Sequence, residues 1–250
     1  RSEETGEERE LILDESLDFP SAFLQWFPDN RSFAIYAKDK KGNKGVFRID
    51  SQTADVKPLF LFKDDHIFRA PSISLDGKTI FYLLRTEKGA LSRLIKEDLD
   101  TGEEIVLYKT LGPLTLYSPS LSPDGKNIVY QYFDREKYPD FDILQVLPTT
   151  GGEPVEVMRE RVEKGRNISS GGLAWTPDGS HILFSRGNGD KDLTQDLWII
   201  PAEGGTPKKL GLDLIGVQYL QFHPDGKRIG FTSGRFIDEI WMLENFLPKK

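Results

Sequence analysis

The chain is predicted to fold as an all-β propeller, on three observations. One short phrase recurs five times at near-constant spacing. Apolar residues alternate two apart on both sides of every copy, and a second glycine-containing turn follows one strand later. The copies are Phe27-Pro28-Asp29-Asn30, Leu75-Asp76-Gly77-Lys78, Pro123-Asp124-Gly125-Lys126, Pro177-Asp178-Gly179-Ser180 and Pro224-Asp225-Gly226-Lys227. Their aspartates stand 47, 48, 54 and 47 residues apart. A period of that size marks a repeat architecture with one supersecondary unit per copy, and the propeller blade is the unit that fits it.

Each unit opens with a hairpin. Three positions before the aspartates stand Trp26, Ile73, Leu121, Trp175 and Phe222; four positions after them stand Phe33, Ile80, Ile128, Ile182 and Ile229. Two further on come Ile35, Tyr82, Tyr130, Phe184 and Phe231. This spacing about a fixed turn predicts a hairpin with one buried face, with the first set buried at equivalent places. In Ser122-Pro123-Asp124-Gly125 the proline presets the first central angle of a type I turn. The glycine then takes the left-handed position, where Asn30 replaces it in the first copy. The aspartates are accordingly read as turn residues.

A third strand follows in each unit, over Val46–Asp50, Leu94–Leu99, Asp142–Leu147, Asp196–Ile200 and Glu239–Leu243. Turns such as Asp100-Thr101-Gly102-Glu103 and Glu203-Gly204-Gly205-Thr206 lead to fourth strands at Leu59–Phe62, Ile105–Tyr108, Val155–Met158 and Lys208–Leu210. Four antiparallel strands per unit make a blade. The helix-friendly stretch Arg159–Arg166 is too short for more than a loop or a single turn, and it accounts for the 54-residue interval.

The last unit ends after its third strand, and Glu10–Asp14 stands where a fourth strand would precede the first unit. Pairing of Leu11–Leu13 with the strand containing Trp241 would complete five four-stranded blades and latch the ring, removing exposed blade edges. The alternative is the C-terminal part of a propeller of six or more blades. Residues 1–9 read as a disordered acidic lead-in and residues 10–250 as the propeller.

Composition narrows the function. Of 250 residues 38% are hydrophobic and 29% charged, with no apolar run near the roughly 20 residues of a membrane span. A net charge of −7 argues against a nucleic-acid partner, which needs a basic face. Cysteine is absent, so disulfides, thiolate metal sites and thiol nucleophiles are excluded. No Gly-x-Ser-x-Gly elbow occurs; Ser169-Ser170-Gly171-Gly172 comes closest but precedes a strand. His66, His181 and His223 are scattered without ligand spacing. Asn188-Gly189-Asp190-Lys191-Asp192 reads as a solvated loop more readily than a calcium site, because Lys191 stands among the ligands. No cofactor is expected.

The phrase Ser122-Pro123-Asp124-Gly125-Lys126-Asn127-Ile128-Val129-Tyr130 resembles the repeat of TolB-like propellers, as does Thr176–Ser185. Asp196-Leu197-Trp198-Ile199-Ile200-Pro201 with Gly204-Gly205 resembles that family's third strand and glycine turn. The resemblance covers roughly residues 10–248. It implies a propeller in an envelope or sensory setting, periplasmic in the TolB case. The same repeat also serves as the substrate-gating propeller of prolyl-oligopeptidase-like and tricorn-like peptidases.

One constellation remains. In a propeller the connections between second and third strands share a face with those between blades, and loops of that kind bind partners. Lys38, Arg85, Asp134, Arg186 and Arg235 leave the five second strands, and Arg69, Tyr117, Tyr138 and Tyr219 lie in nearby loops. Lys38, Arg85, Arg186, Arg235, Tyr138 and Arg69 are therefore the expected partner-binding residues, suited to a carboxylate-bearing ligand or peptide. The chain is expected to be a monomeric, non-enzymatic interaction module for a protein, peptide or glycan. The alternative is the propeller part of a peptidase whose catalytic domain lies outside this chain.

Overall fold

The repeated turns set the architecture. Gly77, Gly125 and Gly179 adopt φ of 72°, 72° and 70°, and their amides close the turns onto the carbonyls of Ser74, Ser122 and Thr176 at 2.9, 2.9 and 2.8 Å. Each aspartate secures its own turn. Asp124 accepts the Ser122 hydroxyl at 2.6 Å and the Lys126 amide at 3.1 Å, and Asp76 does the same with Ser74 and Lys78 at 2.6 and 3.0 Å. Asp178 accepts the Thr176 hydroxyl at 2.6 Å and the Ser180 amide at 3.0 Å. The first copy lacks the glycine; there Asp29 accepts the amides of Arg31 and Ser32, the Ser32 hydroxyl and the Arg48 guanidinium.

The structure, a computed structural model, describes residues 13, 17–18, 23–29, 31–62, 67–85, 91–111, 115–134, 136–163, 167–189, 194–222 and 229–232. Among them the elements are strands only: β1 (Leu17–Asp18), β2 (Leu24–Trp26), β3 (Ser32–Asp39), β4 (Lys44–Asp50), β5 (Val56–Leu61), β6 (Ile67–Ile73), β7 (Thr79–Arg85), β8 (Leu91–Asp98), β9 (Glu104–Leu111), β10 (Thr115–Leu121), β11 (Asn127–Phe133), β12 (Phe141–Pro148), β13 (Val155–Arg161), β14 (Ile168–Trp175), β15 (His181–Gly187), β16 (Thr194–Pro201), β17 (Lys208–Ile215), β18 (Gln218–Phe222) and β19 (Ile229–Thr232).

Sheets follow chain order. β6–β9, β10–β13 and β14–β17 are antiparallel four-stranded blades. In the first blade the innermost position is divided: β2 pairs with the turn end of β3 and β1 with its far end, through Leu17↔Asp39 and Asp18↔Lys38. β18 and β19 begin the fifth repeat. Its third strand, Glu239–Leu243, lies outside the described residues, as do Trp241 and nearly all of Glu10–Asp14. Leu13 is described, and with Leu17 it packs on Ile35, Ala37, Phe47 and Ile49, the face of the first blade turned away from the second.

Packing explains why two-residue alternation does not leave a polar face. Ile80 and Tyr82 point to the first blade, whereas Phe81 and Leu83 point to the third. The second, third and fourth blades are each covered by a neighbouring repeat on both sides, so both faces of their strands are apolar and buried. The expectation of one buried face is corrected accordingly. Ile128, Ile182, Tyr130 and Phe184 are all at 0% exposure. In the fifth repeat Ile229 and Phe231 are exposed.

Two further expectations change. All five of these positions border a common axial space, where Ile73 and Trp175 are buried but Trp26, Leu121 and Phe222 are only half-buried. Arg159–Arg161 continues β13 instead of forming a loop, pairing with Phe141–Ile143.

Candidate functional site

The innermost strands β2, β6, β10, β14 and β18 enclose an apolar pocket of about 300 Å3. It lies at their turn ends: Trp26, Ile73, Leu121, Trp175 and Phe222 form its wall, and Pro28, Leu75, Pro123 and Pro177 form its collar. Leu75, in the place where the other copies carry proline, is 51% exposed. One side of the wall is aromatic, with Phe23, Trp26, Tyr219 and Phe222; prolines and serines of β6 and β10 make the other. Among the described lining residues only Tyr219 carries an ionisable side chain.

Equivalent side chains lace this ring together. Gln25, four positions before its aspartate, accepts the Ile73 amide at 2.8 Å and donates to the Ile73 carbonyl at 2.6 Å. Ser72 holds the same repeat position and accepts the Leu121 amide at 3.2 Å. Gln221 does so too, accepting the Trp26 amide at 3.2 Å. At the next junction the Trp175 indole N–H donates to the Ser120 carbonyl at 2.9 Å. The innermost strands β6, β10, β14 and β18 each carry a register shift, and Ser118 and Tyr219, at matching positions, have φ of 53° and 55°. Non-glycine residues held there store backbone strain, which tends to collect at functional sites.

Outside the collar lie the turn aspartates. Burial pushes Asp29 upward, yet its hydrogen bonds from Ser32, Arg31 and Arg48 hold it well below the usual carboxylate range. The Thr176 and Ser180 hydroxyls lower Asp178 to about 2. Ser180 Oγ also lies 2.7 Å from His181 Nδ1. That is no triad, since the serine stands between acid and imidazole instead of the imidazole standing between the other two. Ser169-Ser170-Gly171-Gly172 runs inside β14, so no nucleophile elbow forms there.

These features define a class: a β-propeller of four-stranded blades around an axial pocket. Its fold is of the TolB-like type. The structure described as TolB from Agrobacterium tumefaciens superimposes with a TM-score of 0.62 at 17% identity, over 90% of this chain and 78% of that one. TolB from Acinetobacter baumannii gives 0.59 at 20% identity, over 83% of this chain and 47% of that one. An oligogalacturonate lyase in complex with manganese gives 0.57 at 19% identity, over 83% and 57%. The chain thus spans about half the length of the latter two. No protein-family model matches it, and no curated protein matches it in sequence. Proteins of different activity share this fold, so function has to be argued from the site.

The described residues expected to bind a partner lie at the opposite end of the blades. Lys38 is exposed at the end of β3, beside a hollow with Lys40, Lys41, Asp18 and Asp39. Arg186 is largely covered and engaged: Nη1 meets Glu160 Oε2 at 2.5 Å, and the guanidinium lies 5.5 Å from the Trp198 ring centre. Tyr138 sits under the Arg159 guanidinium at 4.0 Å, with Lys137 at 5.1 Å, and the Arg159 and Lys137 contacts lower its phenol. Arg159 in turn is held by Glu156 at 2.9 and 2.5 Å. The backbones of Arg69 and Arg85 occupy β6 and β7, and Arg235 lies outside the described residues. Asp134 is buried and caps its own loop through the Glu136 and Lys137 amides at 3.2 and 2.8 Å.

Sequence reasoning missed the pocket. Its wall residues have the apolar character of core positions, and only the closed ring distinguishes a channel lining from a core. The matching glutamines Gln25 and Gln221, four residues before their aspartates, were the available signal.

Proposed function

We propose that the chain is a non-enzymatic interaction module that receives an uncharged, apolar segment of a protein partner in its axial pocket. The observation that carries this reading is the pocket's chemistry: an aromatic wall and an aliphatic-proline collar, with Tyr219 the one ionisable side chain among the described lining residues. Acid–base or metal-assisted chemistry needs positioned ionisable or ligating groups, whereas aromatic and aliphatic walls suit an anchor side chain. A ring of five four-stranded blades, latched by the N-terminal segment, accompanies this reading. So do a monomeric state and an envelope or sensory setting.

The loop face of Lys38, Arg85, Arg186, Arg235, Tyr138 and Arg69 is the second reading. It is favoured by the exposed ammonium of Lys38 at the end of β3. Selection of binders from a displayed peptide library separates the two. Binders that prefer apolar residues and lose at least tenfold in affinity to Leu75→Asp, while tolerating Lys38→Ala, would support the pocket. Acidic binders with the reverse sensitivity would move the site to the loop face. Turnover of peptide, ester or glycan substrates by the purified chain would overturn the non-enzymatic reading.

A further inference from the structure

The junction of the third and fourth blades contains a buried carboxylate beside a second one, with one cation between them. Asp142 on β12 is 1% exposed. Its Oδ2 accepts the Ile168 amide at 2.7 Å, where the chain enters the fourth blade. Its Oδ1 faces Gln131 Nε2 of β11 at 3.3 Å. That nitrogen also lies 3.5 Å from the Ile168 carbonyl, and the buried Gln131 Oε1 has no hydrogen-bond partner among the described residues. Strand register sets Glu160 of β13 directly opposite Asp142, and Ile168 opposite Arg186 of β15.

Among the described residues, the charged groups facing Asp142 are therefore Glu160 from β13 and Arg186 from β15. β11 contributes the neutral Gln131, and β14 contributes the Ile168 backbone. Asp134, just beyond β11, is turned to the amides of its own loop. Two carboxylates share one guanidinium; Glu160 is partly open to solvent, so the surplus negative charge weighs on Asp142, which is closed to water. A buried surplus charge is costly, and a proton removes it. Protonation also converts an acceptor into a donor, which a flipped Gln131 amide can accept through its otherwise unpartnered oxygen.

We propose that Asp142, Gln131, Glu160 and Arg186 form a proton-operated fastener between the third and fourth blades, firm when Asp142 is protonated and strained when it is ionised. Burial lifts the Asp142 carboxyl to about 6, against an ordinary 3.8. A native state that holds this proton more tightly than the unfolded chain loses stability as pH rises between those two values, and levels off above the upper one. The loop-side edges of the two blades are thus loosest at neutral pH and tightest in mild acid.

Hydrogen exchange at the Ile168 amide, corrected for intrinsic rate and followed from pH 5 to pH 8 on the full chain, reads the fastener directly. Protection should fall on the order of tenfold across that range, and the fall should vanish in Asp142→Asn. Equal slopes in both proteins would overturn the proposal. Should the variant not fold, a carboxyl-carbon NMR titration of the unmodified protein still decides. A midpoint for Asp142 well above the ordinary carboxylate range supports the fastener, and a midpoint near 4 removes it.

Discussion

The side-chain oxygen of Gln221 accepts a hydrogen bond from the backbone amide of Trp26 at 3.2 Å, across 195 residues of sequence. The same bond links neighbours in sequence order where Gln25 meets Ile73. The innermost strand of the fifth repeat therefore addresses the first as the first addresses the second.

Replacing Gln221 by alanine should then cost about 0.5–1.5 kcal/mol, the net worth of one hydrogen bond. Gln25→Ala should cost more, because Gln25 serves both the amide and the carbonyl of Ile73. Urea unfolding of the two variants provides the comparison. A neutral Gln221→Ala would mean that the first and fifth repeats meet without this bond.

The turn aspartates predict loss of stability in strong acid. Hydrogen bonds from neighbouring hydroxyls and amides lower Asp76, Asp124 and Asp178 in the folded chain, Asp178 to about 2. Carboxylates lowered in this way contribute stability that is complete above the unfolded value near 4 and disappears as pH falls through the folded one. Thermal unfolding followed from pH 5 to pH 2 should show this decline, and it should be shallower in Asp178→Asn. A variant as acid-sensitive as the parent would assign the decline to other groups. This window lies below that of Asp142, and the two slopes have opposite signs.

Arg186→Ala should destabilise the fold by about 1–3 kcal/mol, since it leaves Glu160 and Asp142 facing each other without their cation. If the axial pocket is the binding site, partner affinity should stay within twofold. A tenfold loss in a protein that remains folded would instead return the site to the loop face. The double variant Arg186→Ala with Arg235→Ala gives the stronger form of that test.

Deleting residues 1–14 should lower the melting temperature. Leu13 covers part of the face formed by Ile35, Ala37, Phe47 and Ile49, and exposing it costs about 1–2 kcal/mol. For a chain of this size that is roughly 2–8 °C. A larger drop or aggregation would indicate that the deleted segment also latches the ring. An unchanged melting temperature would show that it does neither.

Strand order and turn chemistry were legible in the sequence because both are local. Proline, aspartate and glycine at fixed offsets determine the hairpin, and two-residue periodicity marks the strands on either side of it. Partnerships between distant residues were not legible. The basic residue of the fourth repeat was identified as Arg186, but Glu160, which occupies it, lies 26 positions away on a neighbouring blade. Trp26, Leu121 and Phe222 were read as core for the same reason: apolar character does not reveal whether a side chain meets another side chain or an open axis. Asp142 stood at the start of a predicted strand, and nothing in its sequence neighbours announced that the next blade would bury it.

The two ends of the blades differ in how much length they tolerate. Between first and second strands the three fully described connections each contain five residues, and between third and fourth strands five or six. These two sets of turns are also tied to each other, as where the Thr149 amide donates to the Lys126 carbonyl at 2.8 Å and the Ala202 amide to the Ser180 carbonyl at 2.9 Å. At the other end, connections between second and third strands run from four to seven residues, and those between blades from two to six. Connection length accordingly varies more at this end than at the other. Foreign segments could be grafted into the Asp134–Asp140 or 188–193 connections without redrawing the mouth of the pocket, whereas one added residue at Asp124 would break two turns at once.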